Sequence, residues 1–392
     1  MKRVGHLWAS VVSEENLMRA IEEVNRTHHW YKKHKINRCT LWVEETKEER
    51  VKDLQRILEA GFVQAKPRHI RRYDASAQKW RDIHEPRQWP DQYIHHALIQ
   101  AIQPVLMRGM DPYCCGSIRG RGSDLARKSI KKWVKGDKKG TKYCYQCDIY
   151  HFYDSLTPKV VMYRMRELIK DHRVLSLIEA TIKDGIFIGA YTSQWYANTV
   201  LQPLDHALRQ KDFGIKHDIR YMDNMTGFGS NKRKLHRAID WIKSWLQKFG
   251  LRLKGDWQVF PIGKPIPGRE RHRRGRLPAA VGFRYDRTYI IPRKRNYLRL
   301  KRAAKRYRDK VSREEFVSAH VAAGLLSRIG QLAKCSNVHI YAFVLKGERL
   351  QRDLKNIVRQ MSKRKGYFTW NTFLEQKALA RSSRSTALPE PA

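Results

Sequence analysis

Tyr143-Cys-Tyr-Gln-Cys-Asp-Ile-Tyr-His-Phe-Tyr-Asp-Ser155 decides the fold. Its first five residues form a short apolar run rich in aromatic side chains, the pattern of a strand buried in a sheet. Asp148 closes that run. Thr157 and Pro158 follow, a side-chain cap and a proline suited to the first helical position, so a helix begins close behind the acid. Strand, acid, short turn and helix therefore form one unit. Cys144 and Cys147, three apart on a strand, point to opposite faces and make a poor zinc pair.

A second acid lies downstream. Ile219-Arg-Tyr-Met222 and Met225-Thr-Gly-Phe228 read as the two arms of a hairpin with Asp223 at its tip, which puts both Asp148 and Asp223 at strand ends. Carboxylates so placed suit hard cations, and a pair of Mg²⁺ ions on them can activate a hydroxyl and stabilise a leaving pyrophosphate. The chemistry expected is nucleotidyl transfer; the plainer alternative is two solvated strand-end acids. Between the acids, a helix after Ser193-Gln194 buries Ala197, Leu201, Leu204 and Leu208, with Ser193 as its cap. After them, Asn231 to Phe249 turns Leu235, Ile239, Ile242 and Leu246 inward and stops at Gly250. The order strand, helix, helix, hairpin, helix, strand predicts an α+β fold, an antiparallel sheet with helices on one face and an open face for nucleic acid.

Further out, Ser13 caps an amphipathic helix through Leu17, Ile21 and Val24, and Asp91 to Leu106 reads as a buried helix ending near Pro104. Ser117-Ile-Arg-Gly-Arg-Gly122 sets Arg119 and Arg121 among glycines, a pattern that lets a backbone come close to a phosphate while guanidinium groups clamp it. Beyond Pro261 the basic stretch Arg269 to Arg276 reads as a linker or a phosphate-facing loop. A basic helix spans Tyr297 to Arg308, and Ser312-Arg-Glu-Glu315 reads as a capping box for the next. The tail from Arg381 onward is expected to be disordered.

The 392 residues carry 80 Lys and Arg against 38 Asp and Glu, a formal charge of +42. Such a charge repels itself in an isolated compact protein, whereas a phosphate backbone neutralises it with counterion release. A polyanion partner is therefore expected. The composition, 41% hydrophobic and 30% charged, excludes a disordered chain, and the length predicts two or three packed subdomains. No run of about 18 apolar residues occurs and the start lacks the apolar core of a secretory signal, so no membrane association and a cytoplasmic location are expected.

In order from Lys79 to Tyr285 the sequence resembles reverse transcriptases. Lys79-Trp-Arg-Asp-Ile-His-Glu-Pro86 resembles the basic fingers block, Ser117 to Gly122 the next, Asp148 to Ser155 the first catalytic block and Tyr221-Met-Asp-Asn224 the tetrapeptide with the other catalytic acids. Leu251 to Phe260 resembles the block after the palm helix, and Val281-Gly-Phe-Arg-Tyr285 the primer grip. Ile188-Gly-Ala-Tyr-Thr-Ser-Gln194 is the form carried by enzymes of diversity-generating retroelements, where group II intron enzymes begin that block with glutamine and end it with proline. The compact length fits that group. The resemblance implies a right-hand fold: an N-terminal helical extension (1–70), fingers (71–147), a palm with inserted fingers elements (148–290), a helical thumb (291–378) and a disordered tail (379–392). It also implies a bacterial or phage enzyme that copies a template RNA into error-prone cDNA, misincorporating opposite adenine, from a DNA primer and dNTPs and beside a small basic accessory variability determinant protein. A defence-associated or retron-like reverse transcriptase and a catalytically silent RNA-binding relative, because of Asn224, are the alternatives.

The resemblance also assigns residues. Asp148, Ile149, Asp223 and Asn224 form the metal set for two Mg²⁺ ions, with Asp148, Asp223 and Asn224 catalytic. Asn224 stands where the family has a second aspartate; its amide oxygen still suits a hard cation but neutralises less charge, which predicts weaker metal binding or a preference for Mn²⁺. Lys79 and Arg81 hold the triphosphate, as against lying on a solvated basic face; Tyr153 lies beneath the sugar, as against packing in the core. Ile188 and Gly189 adjoin the incoming nucleotide, Ile188 replacing the hydrogen-bonding amide of more faithful relatives. Gln194 and Ser193 contact the base pair or template. Lys254, a few residues from the usual lysine position, is a candidate proton donor to pyrophosphate. Gly282 and Phe283 support the primer end, and Lys301, Arg302 and Lys305 track phosphates. Asp154 is read as ordering the helix that begins at Pro158.

Overall fold

The computed structural model describes residues 2–27, 31–32, 35–74, 79–266, 269–336 and 349–364. Helices α1 (Trp8–Val12) and α2 (Glu14–Thr27) precede a small hairpin, β1 (Tyr31–Lys32) and β2 (Lys35–Ile36), then α3 (Arg38–Glu45) and α4 (Lys47–Glu59). The hairpin β3 (Arg68–Asp74) and β4 (Lys79–Glu85) leads through a π-helical turn, Gln88–Gln92, into α5 (Tyr93–Met107) and α6 (Ser123–Gly136). Then come β5 (Tyr143–Asp148), α7 (Phe152–Ser155), α8 (Pro158–Leu168), α9 (His172–Ile182), α10 (Tyr191–Gln210), β6 (Ile215–Tyr221), β7 (Asn224–Gly229), α11 (Lys232–Gln247) and β8 (Gln258–Pro261). Short strands β9 (Lys264–Ile266), β10 (Arg269–Arg274), β11 (Ala279–Ala280), β12 (Phe283–Tyr285) and β13 (Ile290–Pro292) precede α12 (Lys294–Ser312), α13 (Ala319–Leu332) and a last helix, Arg349–Arg364.

The chain divides into two compact units, one of residues 1–28 and 37–290, the other of residues 29–36 and 291–392. In the first, the four-stranded antiparallel sheet runs in the order β6-β7-β5-β8. Alternation along β5 sends Tyr145 and Cys147 into one large core with α8, α9, α10 and α11. The same alternation sends Cys144, Gln146 and Asp148 to the second face. That face is not wholly open. Trp133 of α6 stacks on His217, ring centroids 5.0 Å apart, and meets Phe228 edge-on, while Gln146 exchanges two hydrogen bonds with Ala279. Helices therefore lie on both faces, because Trp133 of α6 supplies apolar area against which His217 and Phe228 are packed.

Several local expectations meet their cause here. Thr157 caps α8 with Pro158 at its first turn, Asn231 caps α11 through the Lys234 amide, and Ser13 accepts from the Asn16 amide. Others give way. α5 runs through Pro104 to Met107: the proline comes so late that a single lost backbone bond is offset by burying Val105 and Leu106. Ser193 does not cap α10, which starts at Tyr191 after the left-handed Gly189 has already turned the chain. Ser312 is the last residue of α12, not a cap; Glu314 turns left-handed and Ser318 caps α13 through the Val321 amide. Arg269–Arg274 is a strand paired with Lys264–Ile266, not a loop, since its backbone groups find partners across the hairpin.

The second unit has its own core, in which Leu300, Ala304 and Tyr307 of α12 meet Ala322, Leu325, Ile329 and Leu332 of α13 and Leu350 and Leu354 of the last helix. Lys301, Arg302 and Lys305 lie on the exposed side of α12. The tail 379–392 and residues 365–378 lie outside the described residues. No helix among the described residues is long and apolar enough to cross a membrane.

Candidate active site

The two acids meet because the sheet register makes them meet. Asp148, the last residue of β5, is the cross-strand partner of Asn224, the first of β7. The turn Met222-Asp223 joins β6 to β7, with Met222 at φ 55°, and the Ile149 amide donates to the Asp223 carbonyl at 3.2 Å. The Asp148 carboxyl is thereby held against that of Asp223. Burial pushes the Asp148 carboxyl up to about 6; the Lys254 ammonium opposes that rise and the neighbouring Asp223 adds to it. Lys254 Nζ lies 2.6 Å from Asp148 Oδ2, and the Lys254 amide donates to the Asp148 carbonyl at 2.8 Å. Asn224 Nδ2 donates to Asp223 Oδ1 at 3.1 Å.

These residues suit a hard divalent cation. Asp148 Oδ1 is buried with no hydrogen-bond partner, a costly state for a carboxylate oxygen unless something positive takes it up. Its other oxygen already carries an ammonium, and Asp223 stands beside it. Among the described residues no group of three His, Cys, Asp or Glu side chains converges on such a point. Two carboxylates and the Asn224 amide are the donors the chain supplies, and the rest of an ion's shell falls to water or to substrate oxygens.

Asp223 lines a cleft of about 340 Å³ with Lys79, Arg81, Ile149, Tyr153, Asp154, Ile188, Lys254 and Asp256, and Tyr150, His151, Phe152 and Gly255 complete the wall; Asp148 and Asn224 are not among its lining residues. Tyr153 packs against the main core, and burial, with Asp223 nearby, pushes its phenol up. Lys79 and Arg81 reach the cleft from β4, and that hairpin is anchored where the cleft begins. The His84 amide donates to the Ile188 carbonyl at 2.8 Å, and His84 stacks on Phe187. Gly189, at φ 124°, sits so close to β4 that a Cβ there would lie 2.5 Å from the His84 carbonyl oxygen. Only glycine fits, for both reasons. Ile188 and Gly189 thus seat the hairpin that carries the two cations.

Other sequence candidates lie elsewhere. Arg121 donates to the Asp111 carbonyl, an internal bond. Arg119 is exposed beside a separate concavity with Arg19, Arg26 and Gln103. Ser193 is buried within the first turn of α10, and neither it nor Gln194 lines the cleft. Phe283 is buried after the turn Val281-Gly282, both of whose residues are left-handed. Asp154 belongs to α7, not to the start of α8, and pairs with His151 at 3.1 Å. Arg81 is paired with Asp74 across its hairpin at 2.7 Å, a partner the sequence does not announce. Asp256 was also missed, although an acid two residues past Lys254 was a signal available to find it.

No family model matches the chain, and no curated protein does. Among solved structures it is similar to telomerase from Candida albicans in complex with a fragment of telomeric RNA, at 12% identity and TM-score 0.45 over 82% of this chain and 60% of that one. Apo telomerase from Candida tropicalis is similar at 11% identity and TM-score 0.41, over 68% of this chain and 56% of that one. A form of that telomerase truncated from the C-terminal domain gives 11% and 0.39 over 60% and 56%. The chain spans less than two thirds of the length of each of these proteins.

Proposed function

We propose that this protein is an RNA-directed DNA polymerase that joins deoxynucleotides at the end of a primer paired with an RNA template. The observation that carries the reading is Asp148 Oδ1, buried and without a hydrogen-bond partner beside Asp223, which itself lines a cleft together with Lys79, Arg81 and Lys254. Asp148 and Asp223, with Asn224, are the residues to hold Mg²⁺ or Mn²⁺. Bound there, such ions lower the pKa of a primer 3′-hydroxyl and neutralise charge on the leaving pyrophosphate. Arg81 offers a planar fork and Lys79 a point charge to the triphosphate. Tyr153 presents a ring where a sugar lies and excludes a 2′-hydroxyl by bulk. Lys254 leaves Asp148 as positive charge arrives, and its ammonium is then free to give a proton to pyrophosphate.

Within that class we assign the chain to the diversity-generating type, on the Ile188-Gly189 to Ser193-Gln194 block and the sequence resemblance it carries. An apolar Ile188 in the cleft wall offers no hydrogen bond with which to check a base pair, which favours looser base selection; errors directed to template adenine are what the sequence resemblance implies. An accessory basic protein is the expected partner. Primer extension on RNA by the purified chain, in Mg²⁺ and separately in Mn²⁺ with Asp148→Ala as control, tests both levels once the cDNA is sequenced. Extension that Asp148→Ala abolishes, with errors at adenines, is the expected result. Accurate extension overturns the diversity-generating assignment and leaves a defence-associated enzyme. Tight RNA binding with no synthesis in either metal points to a silent RNA-binding protein or to an obligate need for the accessory partner, and no synthesis with that partner added overturns the polymerase.

A further inference from the structure

The turn that carries Asp223 is held from behind. Arg220 lies two residues before Met222 on β6, and strand alternation sends its side chain away from the cleft into the helical face of the sheet, where it is 3% exposed. There it is fully engaged. Nε and Nη2 grip Asp205 of α10, itself 3% exposed, at 2.6–3.0 Å. Nη1 donates to Asn198 Oδ1 at 2.9 Å and to the Met222 carbonyl at 3.1 Å, and Nη2 reaches the Asn198 carbonyl at 3.3 Å. One guanidinium thus ties the carbonyl of the turn to two residues of a buried helix.

That carbonyl belongs to a residue in an unfavourable conformation. Met222 is left-handed at φ 55°, a state that L side chains avoid and that surrounding structure has to impose. A second support stands on the other side. Asn198 Nδ2 donates to the Gly116 carbonyl at 2.8 Å, and the Arg220 backbone is bonded to the same segment, its amide to the Tyr113 carbonyl and its carbonyl to the Cys115 amide. A Cβ on Gly116 would lie 2.6 Å from the Met222 amide nitrogen and 2.5 Å from its sulfur. Segment 113–116 therefore fits against the turn with no room for any side chain at 116.

We infer that Arg220, clamped by Asp205 and Asn198, is a positioning residue that imposes the left-handed Met222 and so fixes the Asp223 carboxylate where it and Asp148 share a divalent cation. The inference rests on the metal centre proposed above. Arg220 touches neither substrate nor ion; it acts through the Met222 carbonyl. A merely structural Arg220 would lower stability and leave metal affinity unchanged. As a positioning residue it sets that affinity, and its effect shrinks when residue 222 takes the left-handed state freely.

The test is Mn²⁺ binding to the full chain, read as depletion of the free-ion electron paramagnetic resonance signal, beside thermal unfolding of each variant. Arg220→Lys keeps the charge but loses the fork, and is expected to bind Mn²⁺ about tenfold more weakly, the scale of one lost charged hydrogen bond. In the Met222→Gly background the same change is expected to cost less than threefold, since glycine meets no penalty at positive φ. A folded Arg220→Lys with wild-type affinity, or an equal loss in both backgrounds, overturns the inference. If Arg220→Lys does not fold, Gly116→Ala reads the same property from the other side: weakened Mn²⁺ binding supports positioning through the turn, and unchanged binding overturns it. Wild-type chain whose Mn²⁺ binding ignores Asp148→Ala overturns instead the metal centre itself, and the positioning role with it.

Discussion

Two clusters of charge meet at the β6–β7 hairpin, one through Arg220 and the other through Asp223, and they are built in opposite ways. Behind the sheet, Arg220, Asp205 and Asn198 are buried and the guanidinium spends its donors on them and on the Met222 carbonyl. At the end of the sheet, Asp148 carries one ammonium on Oδ2 beside Asp223, and its other, buried oxygen has no hydrogen-bond partner. Buried charge is tolerated when paired and costly when not. The contrast teaches where each cluster's free energy goes: the first fixes geometry, while the second is left incomplete in a way that an arriving cation would complete. Burial also pushes the Asp148 carboxyl up, as expected of a group whose partner is missing.

The largest effect should follow from deleting the incomplete cluster. Asp148→Ala is expected to reduce primer extension by at least ~10³-fold, since the charge that anchors the ions and through them the leaving group is gone. Its thermal midpoint should stay level or rise, because an unsatisfied buried oxygen disappears with it. A variant that loses stability as well as activity would mean that Asp148 belongs with the satisfied cluster after all. Next comes that cluster itself. Asp205→Ala leaves Arg220 buried and uncompensated and should cost ~3–5 kcal/mol in urea unfolding. A cost under ~1 kcal/mol would show water reaching Arg220, and the contrast would fail.

A third site sharpens the comparison because it has the chemistry of the second cluster, a buried carboxylate oxygen without a partner, away from the cleft. Asp91, 1% exposed, accepts from the Ala65 and Arg87 amides, and its Oδ2 has no partner. Burial raises its carboxyl to about 6. A carboxyl raised in the folded state favours the protonated form, so its contribution is present below the unfolded value near 4 and fades as pH climbs through about 6. The whole swing is on the order of 3 kcal/mol. Asp91→Asn should flatten the stability profile between pH 4 and 6, followed as the urea midpoint; an unchanged slope would place the titration elsewhere.

How much of this was written in the sequence depends on the kind of signal. Asp148 after an apolar run and Asp223 at a hairpin tip needed only period two and a turn, and both stand at strand ends. Ala197, Leu201, Leu204 and Leu208 needed only period 3.6, and all are buried. Arg220 could not be read this way. An arginine in a strand reads as solvent-facing, and its partner Asp205 is fifteen residues back on a helix whose neighbours form an apolar stripe; only the fold brings an acid and a base of that separation together. Ser193 and Ser312 failed for a related reason. Each has the chemistry of a cap, but the backbone turns elsewhere, at Gly189 and Glu314, and no local pattern says which serine the turn will choose. The second face of the sheet was misjudged because Trp133 reads as an ordinary position of the amphipathic helix α6, and the aromatic area it covers becomes visible only once β6 and β7 are paired.

The smallest expected effect separates the two kinds of charge most cleanly. Arg81 lines the cleft yet is already held by Asp74 at 2.7 Å, with about a third of its side chain exposed. An exposed pair of this sort contributes about 0.2–1 kcal/mol, far less than the buried Arg220 pair. On the proposed function, a triphosphate entering the cleft would compete with Asp74 for the same fork, and part of its binding free energy would go into breaking the pair. Asp74→Asn removes the competitor's charge and leaves Arg81 in place, so the KM for the incoming nucleotide should fall by about two- to fivefold while kcat stays level. Stability should change by no more than ~0.5 kcal/mol. A KM that rises instead would show that Asp74 orients Arg81 toward the substrate, as Asp205 orients Arg220, and the distinction between holding a cation in reserve and holding it in position would have to be redrawn for the β3–β4 hairpin.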